Sequence, residues 1–393
     1  MLTALVFLLI LSILVLIHEA GHFFVAKKFG IKVEEFGYGL PPRAWGKKIG
    51  ETIYSINWLP IGGFVKLYGE DEAGSGSVKI AKGKGQRAKS KKDEQRAFYS
   101  RSVGQRAAVV VAGVVMNLIL GILIYYIFMG LSGFKTELPL IGDHKFFGVN
   151  QEVREDIFIT DVADNSPADK AGVPQYAQIT ELNNKPVGNI DTFIQNVKSN
   201  QGKEISLSVV DPETRETKML EMTPRENAPK NEGSLGVGLS SMQTALLSYD
   251  TPLQKVFSGF IHPANLMVYN VDLMAQLVRA SIRERTAEPL GQGVAGPIGI
   301  YSVVGTIVDI PDAKERALQL LNLAGLLSLS LAVFNILPIP ALDGGRLFFI
   351  LIEGVTRRKI NPQHEALAHT IGMVVLLGLI VIITFKDVFQ FLL

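Results

Sequence analysis

The chain has 393 residues, 48% of them hydrophobic and only 19% charged, with a mean hydropathy of +0.26. Soluble domains carry about a quarter charged residues, so the composition argues against an ordinary soluble protein and for a membrane protein with a polar part. The net charge of +2 implies no nucleic-acid partner, and the absence of cysteine excludes disulfides and thiolate metal sites.

The first apolar stretch, about Leu2–Ala26, is long enough to cross a bilayer, which takes about 20 residues. A cleaved signal peptide fits it poorly. Met1-Leu2-Thr3 has no basic residue, no small-residue cleavage site follows, and Lys27 and Lys28 come after the span. Inside it stands His18-Glu19-Ala20-Gly21-His22, an H-E-x-x-H pentad. On a helix, His18 and His22 share a face and serve as two ligands of one zinc. Glu19 sits beside them, placed to take a proton from a water on the metal. A charged residue at mid-span costs about 2.5–3.5 kcal/mol; zinc binding explains why such groups are tolerated here.

After this span, Tyr54, Ile56 and Trp58 alternate as in a strand. The stretch Ala73–Lys92 holds seven lysines and arginines and no acid amid Gly and Ser, the composition of a flexible basic linker. A second span, about Ala107–Leu131, contains Ala112-Gly113-Val114-Val115-Met116-Asn117; a packing role among small residues is at least as good a reading of Asn117 as any other.

Residues from about Val149 to Arg225 read as a small α/β module, with strand character at Ile157–Ile159 and Ile205–Val210 and a short helix over Thr192–Lys198. Asn165-Ser166-Pro167-Ala168-Asp169-Lys170-Ala171-Gly172 resembles the N-S-P-A-x-x-A-G signature of bacterial PDZ domains. Ile179–Asn183 resembles the strand and turn that follow it, although Ala177-Gln178 replaces the usual Gly-Asp. Gly233–Gly238 is either an ordinary Gly-rich linker or the loop whose backbone N–H groups receive a peptide C-terminus, with Gly236, Val237 and Gly238 as the contacts. Pro252–Ile282 is apolar but interrupted by Lys255, His262, Asp272 and Arg279, which favours an amphipathic surface helix over a fifth span, with His262 interfacial. The breaker-rich Gly293–Ile300 leads on toward the third span.

The third span, about Leu318–Leu337, runs into Asn335-Ile336-Leu337-Pro338-Ile339-Pro340-Ala341-Leu342-Asp343-Gly344-Gly345, and a fourth covers about Leu367–Phe385. The basic loops, 73–92 and the one carrying Arg357, Arg358 and Lys359, face the cytoplasm by the positive-inside rule. Both termini and the module then face outside, and the pentad and Asp343 fall at the same depth, near the cytoplasmic side. A catalytic zinc needs three protein ligands and an open position, and Asp343 is the best third ligand. Prolines and the Gly pair break the helix there, which is allowed at membrane depth only around a protein-lined cavity. His364 and His369 read as solvent-facing residues of a polar loop.

H-E-x-x-H in a first span, N-x-x-P-x-P-x-L-D-G-G in a later one and a PDZ between them resemble the bacterial site-2 protease family nearly end to end. The resemblance implies one zinc per chain on His18, His22 and Asp343, Glu19 as the catalytic carboxylate, and Asn335 in contact with substrate or the reaction's oxyanion. Glu35–Gly39 and Ser55–Lys66 resemble the family's membrane-dipping β-hairpin, whose edge, at Gly62, Gly63 and Phe64, would pair with unwound substrate.

The fold expected is therefore a polytopic α-helical membrane protein with about four transmembrane helices, a membrane-dipping β-hairpin and an inserted α/β PDZ domain. Its parts would be residues 1–135 with the first two spans, 145–240 as the PDZ domain, 241–317 as surface helix and linker, and 318–393 with the last two spans. The implied setting is the bacterial cytoplasmic membrane. The implied substrate is a single-span membrane protein, such as an anti-sigma factor or a remnant signal peptide, already cut by an upstream site-1 protease. Two other readings are a membrane-anchored PDZ scaffold with a non-catalytic zinc site and an ion or zinc transporter. Structural zinc normally takes four protein ligands, and a transporter explains neither the pentad nor the PDZ signature.

Overall fold

The structure is a computed structural model that describes residues 1–70, 91–212, 214, 216–229, 232–286, 291 and 293–392. The expected linker Ala73–Lys92 lies outside the described residues except for Lys91 and Lys92, which begin a short helical turn, Lys91–Glu94. The chain divides into two compact units, Met1–Leu131 with Phe257–Leu393, and Ser132–Val256.

The first unit holds four helices long and apolar enough to cross a membrane: α1 (Leu2–Lys28), α2 (Val103–Leu131), α7 (Ala313–Ile336) and α9, whose apolar part is Pro362–Phe389. The chain is a multi-pass membrane protein. Lys27 and Lys28 lie in the last turn of α1, where cations complement the helix dipole. Helix α1 packs on α2, and α2 on α7. Small residues make the α1–α2 contact close: a Cβ on Gly21 would lie 2.4 Å from the carbonyl oxygen of Ala112, well inside van der Waals contact.

Strands β1 (Val33–Ile49) and β2 (Thr52–Leu67) form a folded hairpin. Segment 35–38 pairs with 63–66 on one side and 53–56 on the other, and 53–56 pairs in turn with 45–48. Among the described residues, segment 63–67 is therefore an edge. Within β2, Trp58 and Leu59 are exposed, away from the turn that joins Ile49 to Thr52. That turn is clasped through Glu51, which accepts from Lys27 Nζ at 2.6 Å and from both terminal nitrogens of Arg96 at 2.6 and 2.8 Å. Hydrogen bonds from Arg96 hold the Glu51 carboxyl down to about 2.

Two helices appear where the sequence reading saw only breakers. Pro297 opens α6 (Pro297–Val308) at a position where its missing N–H costs nothing. The Gly pair does not break a helix but lies inside the first turn of α8 (Asp343–Thr356). Its role is close approach: Cβ atoms on Gly344 and Gly345 would stand 2.0 Å from the Leu337 carbonyl and 2.5 Å from that of Ile339.

The interrupted stretch forms one helix, α5 (Pro252–Glu284), and its residues from Phe257 on belong to the first unit. A stripe of Ser258, His262, Leu266 and Tyr269, at helical spacing, is buried. His262 is buried rather than interfacial, its ring 5.0 Å from Tyr125 and stacked on Phe128 of α2.

The second unit is a seven-stranded sheet in the order β3-β9-β4-β5-β7-β8, with β6 beside β5. The strands are β3 (Lys135–Leu140), β4 (Asn150–Val162), β5 (Gln178–Leu182), β6 (Lys185–Pro186), β7 (Ile205–Val210), β8 (Thr217–Met222) and β9 (Val237–Ser248). Strand β3 and the far end of β9 extend the unit beyond 145–240. Helices α3 (Pro167–Lys170) and α4 (Ile190–Ser199) complete it, and Phe193 and Val197 pack among Ile157, Ile179, Leu207 and Val209. The Asn-Ser-Pro signature has a local cause. Asn165 takes φ +60°, the Ser166 hydroxyl caps α3 by accepting from Asp169 N at 3.1 Å, and Pro167 stands at the first helical position.

Candidate metal centre

Residues 18 and 22 lie on one face of α1, as their spacing requires, and α8 delivers Asp343 to the same point. His18 Nε2 is 3.0 Å from Asp343 Oδ2, His22 Nε2 is 3.2 Å from the same oxygen, and the two Nε2 atoms are 3.2 Å apart. This triangle is nearly equal-sided. Ligands about 2.05 Å from a tetrahedral metal stand about 3.3 Å from one another, so the three atoms suit such an ion. Among the described residues they are the one group of this kind.

The outer nitrogens agree with metal binding. His22 Nδ1 is 2.8 Å from the Val109 carbonyl, which can only accept, so Nδ1 carries the proton and Nε2 presents a lone pair. Three lone pairs turned toward one point repel unless a cation sits between them. Space for the rings comes from Gly113, where a Cβ would lie 2.4 Å from His22 Nε2 and 2.7 Å from His18 Cε1.

Asp343 stands in the first turn of α8, where the helix dipole favours a carboxylate. The loop before it, with Ala341 at φ +82°, is held by α9: the Ala341 N–H donates to His369 Nδ1 at 2.9 Å, and a Cβ on Gly372 would meet the Pro340 carbonyl oxygen at 2.5 Å. His369 is thus buried and occupied, not solvent-facing as its sequence surroundings suggested.

A cavity of about 160 Å³ adjoins the triangle, lined by Glu19, His22, Asp343, Phe64, Val65 and Gly63. The lining also holds a half-buried ion pair of Arg346 with Glu70, and Arg346 lies over the Phe98 ring at 5.4 Å. Gly63 brings the edge segment against α1: a Cβ there would be 3.0 Å from Glu19 Cγ.

Residues 6–379 match the family model described as peptidase family M50. The chain belongs to that family. It is a site-2-type metalloprotease by membership. A relative in Clostridium perfringens, provisionally named as a zinc metalloprotease, is 31% identical over 381 residues, covering 97% of each chain. The regulator of sigma-W protease RasP of Bacillus subtilis is 26% identical over 449 residues, covering 98% of each. The zinc metalloprotease RasP of Oceanobacillus iheyensis is 25% identical, covering 99% of each.

Of the residues singled out in the sequence, Glu19, His22, Asp343, Gly63 and Phe64 line one cavity, His18 joins them through the triangle with His22 and Asp343, and Gly62 is next to the lining in the chain. Asn335 is half-buried at the end of α7, outside the cavity lining and without a side-chain hydrogen bond among the described residues. Gly236, Val237 and Gly238 belong to the sheet unit: Gly236 has φ +75°, and Val237 and Gly238 pair with Val162 and Asp161. Sequence reasoning missed Val109, Glu70, Arg346 and His369. The first acts through its backbone and carries no signal at all; the others become visible only when distant segments meet.

Proposed function

We propose that this chain is an intramembrane zinc metalloprotease that hydrolyses a peptide bond within or near the transmembrane segment of a single-span membrane protein. The observation that carries this reading is the triangle of His18, His22 and Asp343 donor atoms, with Glu19 on the same cavity. Zinc held there supplies Lewis-acid activation of a water and of the scissile carbonyl. Glu19 accepts the proton of the attacking water and passes it to the leaving amine. Asn335, at the mouth of the loop that carries Asp343, is assigned the contact with substrate or oxyanion on the resemblance alone.

A substrate helix hides its peptide bonds and must become extended first. Gly62, Gly63 and Phe64 are the proposed pairing site: segment 63–67 has a single strand partner among the described residues, and Gly63 and Phe64 line the cavity. The exposed Trp58 and Leu59 support a hairpin that dips into the lipid.

The sheet unit is proposed to be a PDZ domain that receives a peptide end or limits access by size. Strand β3 covers β9 only from Gln243 onward, which leaves Val237–Met242 with β4 as its single strand partner among the described residues, and α4 packs beside β9. With both basic loops cytoplasmic, the termini and the PDZ face the outside of a bacterial cytoplasmic membrane. Cleavage would then follow an upstream cut that removes the substrate's outer domain. The name of the Bacillus subtilis relative supports an anti-sigma factor as substrate.

A scaffold with structural zinc would want a fourth protein ligand, and the described residues offer three. Glu19→Gln separates the readings. It should keep the metal and lose cleavage of a membrane substrate by about 10²–10⁴-fold. Cleavage at the wild-type rate would sink the mechanism.

A further inference from the structure

Helices α1 and α2 run antiparallel past each other at the metal centre, and one stripe of α2 serves both histidines. Val109, Gly113 and Asn117 are spaced by four, as His18 and His22 are. Val109 takes His22 through its carbonyl, and Gly113 leaves room for both rings. Asn117, 0% exposed, comes opposite His18, its amide nitrogen 3.4 Å from His18 Nδ1. The Asn117 Oδ1 atom is buried with no hydrogen-bond partner among the described residues. The helix is pinned at this level, because buried Ser328 of α7 donates to the Asn117 backbone carbonyl at 2.7 Å.

The oxygen and nitrogen of a carboxamide occupy near-identical volumes, and their assignment follows from the hydrogen bonds they make. Either orientation leaves one end of this amide without a protein partner, so the metal decides. For His18 to present the Nε2 lone pair that the triangle requires, Nδ1 must carry the proton. A protonated Nδ1 needs an acceptor, and the Asn117 amide supplies one when it is turned so that Oδ1 takes the place of Nδ2, 3.4 Å from His18 Nδ1.

We propose that Asn117 is a positioning residue for His18: its side-chain carbonyl accepts the Nδ1–H and so fixes the tautomer and ring plane in which Nε2 binds the metal. This rests on the zinc reading of the site and adds to it a distinct residue from a third element. It gives the two histidines matched outer partners on α2, a backbone carbonyl for His22 and a side-chain carbonyl for His18. Outer partners of this kind change metal affinity by about 10- to 100-fold when removed.

The test uses the full chain in detergent, stripped of metal and titrated with zinc against a chelator of known affinity. The wild type, Asn117→Leu and Asn117→Asp are compared, and the cobalt-loaded forms are compared by visible absorption. Asn117→Leu keeps the volume and loses the acceptor; zinc should bind about 10- to 100-fold more weakly. Asn117→Asp is an acceptor that cannot donate, and it should stay within a few-fold of wild type with an unchanged cobalt spectrum. If Asn117→Leu binds zinc as the wild type does, the proposal is overturned. If Asn117→Asp loses as much as Asn117→Leu, the amide donates rather than accepts, and the proposal is again wrong. A wild type that takes up no zinc would instead overturn the metal reading beneath it.

Discussion

Replacing Gly113 by alanine adds one methyl group at the narrowest point of the metal centre. Its Cβ would lie 2.4 Å from His22 Nε2 and 2.7 and 2.8 Å from His18 Cε1 and Nε2. Ordinary contact is about 3.5 Å, so one or both rings must retreat by about 1 Å. The helices are already in close approach beside the site, since a Cβ on Gly21, next to His22, would lie 2.4 Å from the carbonyl oxygen of Ala112, next to Gly113. A 1 Å retreat of a donor atom is several times the roughly 0.2 Å tolerance of a zinc–ligand distance. It also breaks the 2.8 Å bond from His22 to Val109. Overpacking of this kind costs about 1–3 kcal/mol, which translates into roughly 5- to 150-fold weaker zinc binding. Zinc content and chelator competition on the purified variant measure this, with far-UV circular dichroism to show that the helices persist. A Gly113→Ala protein that binds zinc within twofold of wild type would refute the geometry on which the metal site rests.

The Glu51 clasp makes folding depend on acid. Its carboxyl is held below the ordinary carboxylate value by Arg96 and Lys27, down to about 2. The stabilisation is therefore fully present above about 4.5 and lost as pH falls through about 2. Glu51→Gln should melt below wild type at neutral pH, and the gap between the two should close on acidification from pH 4.5; a gap constant across that range would show the clasp to be idle. His369→Leu leaves the half-buried Ala341 N–H without its acceptor, at a cost of about 1 kcal/mol. Its melting temperature should fall and its zinc affinity with it, because the freed loop carries Asp343. A variant that melts lower with wild-type zinc affinity would mean the loop does not depend on α9.

The local patterns could be seen in the sequence because each sits within a few residues. The pentad needs only helical spacing to put His18 and His22 on one face. The four apolar stretches need only length and composition to be spans. Ser166-Pro167 needs only a cap and a fixed φ to start α3. Breaker residues were the weak point. Pro297 and the Gly344–Gly345 pair read as interruptions, yet each lies at the start of a helix, where a missing N–H or a missing Cβ is an advantage rather than a defect. His262 and His369 also read wrongly, since polarity along the chain says nothing of which face a neighbouring helix will cover.

The sequence by itself determined that two histidines and a glutamate share one helical turn in an apolar span, and that an aspartate follows a Pro-rich break far down the chain. Only the tertiary structure decided that the aspartate's oxygen meets both histidines at 3.0 and 3.2 Å. It also decided that an edge strand and Arg346 close the cavity, and that α2 supplies a partner to each histidine. The reason is physical. Helical spacing is a property of consecutive residues, whereas a metal site joins atoms 325 positions apart, and their approach depends on glycines that let whole helices touch.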